Sequence, residues 1–306
     1  MLDISQSSIA TKTISLMERT FVSMEPNTIT LSDTDLQRAN GFGRIQLSGS
    51  ERGTLVTDVF QRSPVRVMFP SVDDSVKEAV LINTAGGIAG GDHLEYTVTA
   101  LADTSITLTS QAAEKVYRAL DTPAHISTRL KADQGAKIAW LPQETIVFNG
   151  ARLKRKTEID VVPGAEVLAL ESLVLGRAAY GEEVVSGHIT DRWSVRKNGR
   201  LIWVDSFRLT SDIFPQLHRK ALLSKFKAVA TLIYFGPDLE TRLELMREIA
   251  TSVSCRQAVT LVGGVLVVRF AAELSSNLRL GLGNFLQQFG RELRGGPFRV
   301  PKMWVC

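Results

Sequence analysis

The chain has 306 residues, 44% apolar and 22% charged, enough apolar material for a packed core and unlike a disordered, collagen-like or coiled-coil chain. Its 36 Lys and Arg against 32 Asp and Glu leave a surplus of four positive charges, too thin over this length to mark a nucleic-acid binder. No apolar run approaches the roughly 18 residues of a membrane span and the start lacks the apolar core of a signal peptide, so a soluble cytoplasmic chain of one or two domains is expected.

Residues 1–38 are polar and read as a lead-in with one strand around Thr28–Leu31. From Gly41, short apolar runs bounded by Gly, Ser and Pro predict strands at Ile45–Leu47, Gly53–Phe60 and Val65–Phe69. A turn at Asp73-Asp74 leads to a further strand at Ala79–Asn83. A repeat then begins. Leu94, Tyr96, Val98 and Ala100 alternate with polar residues, Asp103-Thr104-Ser105 turns the chain, and Ile106–Gln111 forms a second strand. The plan recurs at Ile126–Ala132 with Ile138–Gln143, at Thr157–Val162 with Val167–Glu171, and more loosely at Ile189–Val195 with Leu201–Phe207. The copies start roughly 30 to 35 residues apart, a spacing typical of stacked β units. Each reads as strand, tight turn, strand, and Asn198-Gly199 is a strong hairpin signal. Periodicity alone leaves stacked superhelical units and a meandering sandwich both open. The tail predicts a strand at Phe226–Tyr234, a helix at Asp238–Ser252, a hairpin over Ala258–Phe270 and a second helix at Asn277–Leu293 closed by Gly295-Gly296. The expectation is a mainly β fold organised as a polar lead-in (1–38), a repetitive β body (39–225) and an α+β portion packed on the same body (226–306).

Catalytic motifs are absent from the sequence: there is no Gly-x-Ser-x-Gly elbow and no His-Glu-x-x-His. Two cysteines, Cys255 and Cys306, fit a reducing compartment, and four scattered histidines make a dense His-rich metal site a poor expectation. Gly86–Asp92 is glycine-rich, but a strand rather than a helix is predicted after it, so a strand connection is expected and not a phosphate loop. The basic run Arg152–Lys156 lacks stacking aromatics and reads as a solvated strand edge. Gln111, Gln143 and Glu171 fall at equivalent places in successive copies, either bracing strand exits or lining a polar passage.

Several strings, in order and interval, resemble the UreD (UreH) family of urease accessory proteins, over roughly Gly41 to the C-terminus. They are Gly86–Asp92, Gln111–Arg118, Trp140–Phe148, Gly150–Arg152, Leu175–Arg177, Gly181-Glu182, Asp191–Trp193 and Pro301–Trp304. The motif residues are Gly86, Gly87, Gly90, Gly91, Asp92, Lys115, Tyr117, Arg118, Trp140, Pro142, Gln143, Glu144, Gly176 and Arg177. The chain departs from the family pattern at Asn83-Thr84-Ala85, where a more proline-rich approach is expected, and in its long lead-in. The resemblance implies a superhelical β protein with a few helices and no catalytic residues. It implies binding to UreF, through it to the GTPase UreG, and docking on apo-urease. It implies no permanent cofactor, only nickel in transit. On that reading Gln111, Gln143, Glu144 and Glu171 line a passage with Asp92 and Glu182 near its mouths, since oxygen ligands release nickel more readily than imidazoles or thiolates. Pro297, Phe298, Pro301 and Trp304 are expected either to contact UreF or to pack across the body. Two rival classes are a β-fold hydrolase using a carboxylate pair from Asp92, Glu114 or Glu144, and a polysaccharide-binding module. The latter calls for exposed aromatics, whereas Trp140, Trp193 and Trp203 lie in alternating strands that suggest core.

Overall fold

The computed structural model describes residues 37–70, 76–212, 214–294, 298 and 300–304. The strand expected at Thr28–Leu31, the turn at Asp73-Asp74, the Gly295-Gly296 pair and Pro297 lie outside the described residues.

Strict alternation makes each repeat strand two-faced. In His93–Ala100 the residues Leu94, Tyr96, Val98 and Ala100 are buried and those between them face outward. Five such strands, Asn40–Ser50, His93–Ala100, Ala124–Ala132, Arg152–Val161 and His188–Lys197, lie side by side in parallel. Antiparallel strands Gly53–Arg62 and Arg200–Leu209 close the two edges of this first sheet. The second sheet is built on the parallel strands Lys77–Asn83, Ser105–Ser110, Lys137–Trp140 and Glu166–Leu175. Val65–Met68 edges it on one side, and Ala228–Phe235, Val265–Ala272 and Arg256–Val262 extend it antiparallel on the other.

The turns expected to make hairpins do something else in the first three copies. After Ala100 the chain crosses at Asp103–Ser105 into the second sheet, so the two strands of a copy belong to different sheets and face each other across the core. Pairing is between equivalent strands of successive copies, with Leu94 beside Ile126 and Leu108 beside Trp140. Short strands Glu114–Val116 and Thr145–Val147 add a third side to two coils and pair with each other. The result is a β-solenoid-like stack of about four turns. The fourth copy is a true hairpin, His188–Lys197 against Arg200–Leu209, turned by Asn198 at φ 51° and Gly199 at φ 76°.

Glu166–Leu175 is buried on both faces, which explains its nearly unbroken apolar sequence. One face looks into the core between the sheets. The other, with Leu168 and Leu170, packs under two helices, α1 (Leu239–Thr251) and α2 (Ser275–Arg294). Met246 and Ile249 of α1 and Leu278, Leu282, Phe285 and Phe289 of α2 recur at helical spacing and form this second core with Leu232, Tyr234 and Phe270. Each of these large side chains contributes about 1.5–3 kcal/mol on burial. Arg38–Cys306 thereby forms one compact unit, in which the C-terminal strands complete the second sheet. No helix among the described residues is long and apolar enough to cross a membrane.

Candidate functional site

The inward phase of the first sheet is not wholly apolar. In Arg152–Val161 it reads Leu153, Arg155, Thr157, Ile159, Val161, and in His188–Lys197 it reads Ile189, Asp191, Trp193, Val195, all buried. Register places Ile126, Arg155 and Asp191 in one cross-strand row, and Tyr96, Thr128, Thr157 and Trp193 in the next. The second sheet answers with Glu171, Thr231 and Arg269, also in one row. A polar layer therefore runs between two apolar ones. Thr128 Oγ1, Thr157 Oγ1 and Trp193 Nε1 within it are buried without a hydrogen-bond partner, which marks an interior prepared for polar contents.

Arg155 is the centre of this layer. Its side chain is 2% exposed. Nη1 donates to Glu171 Oε2 at 2.7 Å and to Thr145 Oγ1 at 3.0 Å. Nη2 and Nε fork onto Asp191 at 2.7 and 3.1 Å. Trp140 Nε1 donates to the other Glu171 oxygen at 2.9 Å. Burial raises the Glu171 pKa, Arg155 opposes that, and Asp191 adds to it, leaving the carboxyl above its ordinary range. Burial alone would lower the Arg155 pKa, but Asp191 and Glu171 outweigh it and hold the guanidinium charged.

Two cavities of about 360 Å³ each lie on either side of this cluster. The first is lined by Tyr96, Gln111, Glu114, Thr128, Gln143 and Arg155, among others. The second lies toward Asp191, Phe207, Thr231 and Arg269. Arg155 and Glu171 belong to both walls. In the first cavity burial lifts the Glu114 carboxyl to about 7, against the hydrogen bond from Asn83 and the backbone and charge of Lys115. The Tyr96 hydroxyl is pushed up by burial and by the nearby carboxylates of Glu114 and Glu171.

The expected passage residues divide into two groups. Gln111, Gln143 and Glu171 line the first cavity. Two residues beyond the Leu108–Trp140–Ala169 row stand Ser110, Pro142 and Glu171, so Ser110 rather than Gln111 is level with Glu171. Glu144 turns away from the first cavity and pairs with Arg279 at 3.2 Å. Asp92 lines neither cavity; its carboxylate accepts from the Ala39 and Ala89 amides, both at 2.8 Å, and braces the glycine-rich loop. Glu182 likewise binds Arg177 at 2.9 Å and the Asn149 and Arg177 amides, a loop clasp. The hydrolase pair is not assembled, because Glu114 faces the cavity while Asp92 and Glu144 are engaged elsewhere.

Gly86–Asp92 leads into the strand His93–Ala100, so it is a strand connection. A side chain at Gly87 would strike the Tyr117 ring 2.5 Å away, and Tyr117 Oη donates to Gly86 O at 3.0 Å. Tyr117 also stacks edge-on with Phe148, and Arg177 lies 4.2 Å over that ring. Lys115 and Arg118 are exposed beside this stack, and Gly176 is buried against the Glu182 carbonyl. The run Arg152–Lys156, expected at an edge, lies in the middle of the first sheet with Arg155 turned inward. Phe298, Pro301 and Trp304 are buried, with Trp304 Nε1 donating to Leu141 O at 3.0 Å. Arg155, Tyr96 and Thr128 belong to no motif in the sequence, and Asp191 belongs to one only as part of the string Asp191–Trp193.

A family model described as UreD urease accessory protein matches residues 39–305. The chain is similar to urease accessory protein UreD of Rhizobium etli, 38% identical over 277 residues, covering 90% of this chain and 99% of the relative. It is similar to the protein of that name from Azorhizobium caulinodans, 37% identical over 269 residues and covering 88% and 97%. The corresponding protein of Xanthobacter autotrophicus is 38% identical over 269 residues, covering 88% and 91%. With its solenoid-like stack and a match along nearly its whole described length, the chain belongs to the UreD family of urease accessory proteins.

Proposed function

We propose that this chain is a non-enzymatic scaffold of urease maturation. It assembles in the cytoplasm with UreF, through UreF with the GTPase UreG, and with apo-urease, and nickel crosses its interior as cargo. The observation that carries this reading is a pair of cavities that share a wall of two buried polar residues, Arg155 and Glu171, inside a UreD-family chain. The donors around the path are oxygens, from Glu114, Glu171, Asp191, Tyr96 and Thr128, and oxygen ligands exchange nickel more readily than imidazole or thiolate. Such a lining suits transit rather than storage. The glycine-rich segment opens a strand rather than a helix, so nucleotide chemistry falls to UreG.

The test is a pull-down of the tagged chain co-expressed with UreF, UreG and the apo-urease subunits. Recovery of a ternary or larger assembly that activates urease on nickel addition supports the scaffold. A folded monomer that ignores every partner overturns it.

A further inference from the structure

We propose that Arg155 is the latch of the passage: its guanidinium fills the junction of the two cavities, and a divalent cation crosses only by exchanging with it at Glu171 and Asp191. The identity of the cargo rests on the function proposed above; the latch rests on geometry. Arg155 and Glu171 are the two residues shared by both cavity linings. The guanidinium is fixed there by four hydrogen bonds of 2.7–3.1 Å to Glu171, Thr145 and Asp191. The resting state is therefore closed.

Four features make the contact exchangeable rather than only structural. One guanidinium is bonded to two carboxylates, while Arg269, the other cation of this layer, is already paired with Asp205 at 2.7 Å, so the contact itself carries one negative charge more than positive. The groups that hold the guanidinium, two carboxylates and the Thr145 hydroxyl, are hard oxygen donors of the kind divalent cations take. Trp140 keeps Glu171 aimed at the junction by holding its other oxygen, so that carboxylate stays in place when the guanidinium leaves. The displaced guanidinium also has somewhere to go. The Thr128 and Thr157 hydroxyls stand in the adjoining row, buried and without partners, and a hydroxyl offers two acceptor lone pairs.

The test measures nickel(II) binding by calorimetry on the full chain purified with its partners, and urease activation by the same preparations. Arg155→Lys keeps the charge but loses the planar fork on Asp191, whereas Arg155→Met removes the charge at similar length. Nickel(II) is expected to bind about tenfold more tightly to Arg155→Lys than to the unaltered chain, and more tightly still to Arg155→Met, as the competing cation is weakened and then lost. Urease activation falls in both, because cargo is retained at the junction. Adding Glu171→Gln to Arg155→Lys returns the affinity to that of the unaltered chain. Should Arg155→Met fail to fold, Arg155→Lys and its Glu171→Gln double variant carry the comparison. Folded variants that bind nickel(II) no more tightly than the unaltered chain overturn the latch. Tighter binding in the variants, with no activation by any preparation including the unaltered chain, leaves the latch standing and overturns the maturation reading.

Discussion

Glu114 sits in the first cavity with its pKa raised from 4.5 to about 7 by burial, while Asn83 donates to it at 3.0 Å. A carboxyl whose folded-state pKa is raised favours the neutral form in the fold. Its stabilising contribution is complete below about pH 4.5 and is lost as pH rises through 7. Glu114→Gln keeps the acceptor for Asn83 and cannot ionise. The variant is therefore expected to gain stability over the unaltered chain as pH rises across that window, by about 3 kcal/mol at the upper end. Thermal melts of both proteins at closely spaced pH values check this, and a difference that stays flat with pH rejects it. The cavity carboxylate was visible in sequence only as an isolated Glu, because spacing along the chain does not reveal which coils meet. Arg155 and Asp191 left a better trace: each occupies the apolar phase of a strictly alternating strand, between Leu153 and Thr157 and between Ile189 and Trp193. Reading Arg152–Lys156 as one basic run hid that phase, since two of its cations face solvent and Arg155 faces the core. Glu171 was legible because the repeat marks where strands leave it, and Gln143 because it lies one residue past the equivalent Pro142.

At the scale of elements, the C-terminal segment is tied down by α2. Arg279 donates from Nη2 to the Met303 and Trp304 carbonyls at 3.2 and 2.8 Å, and from Nη1 to Gln143 Oε1 at 2.9 Å. Gln143 Nε2 in turn donates to Met303 O at 2.7 Å. One buried glutamine thus joins the rim of the first cavity to the last described turn. Trp304→Ala is expected to cost about 3–5 kcal/mol, the usual loss for a buried Trp. Arg279→Ala costs less, about 1–3 kcal/mol, by taking the donor from the part-buried Trp304 carbonyl and Gln143 Oε1. Denaturant melts measure both, and limited proteolysis should cut the C-terminal segment first in Arg279→Ala. Equal stability of all three proteins would show that the segment is not part of the fold's support. The strands, both helices and the 30-odd-residue repeat were readable because period and length are local properties. The partner of each strand was not. A polar turn such as Asp103–Ser105 serves equally for a hairpin or for a crossing between sheets, and only the stacking of whole copies decides between them. Where the turn chemistry was specific, at Asn198-Gly199, the expected hairpin formed.

A stack of coils has two open ends, and the whole molecule must keep both from pairing with other chains. At one end the outermost strands are Arg200–Leu209 and Arg256–Val262, where Arg200, Asp205, Arg208 and Arg256 supply charge among the exposed Leu201, Val204 and Val262. At the other end they are Gly53–Arg62 and Val65–Met68, and here Leu55, Val59, Phe60, Met68 and Phe69 are all exposed. Arg44 offsets part of this by lying over the Phe60 ring and pairing with Asp58 at 2.7 Å. The hydrogen-bonding edge of Gly53–Arg62 beyond the stack is nevertheless accompanied by apolar side chains. That combination templates strand addition. Without its partners the chain is expected to self-associate through this end as its concentration rises. Val59→Lys puts a charge on the edge strand at a half-exposed position opposite Ile45, and should shift the population toward monomer with little loss of stability, within about 1 kcal/mol. Sedimentation velocity over a range of concentrations compares the two. If Val59→Lys associates as strongly as the unaltered chain, the contact lies elsewhere, and the other end, where Leu201 and Val204 are exposed on Arg200–Leu209, becomes the place to look.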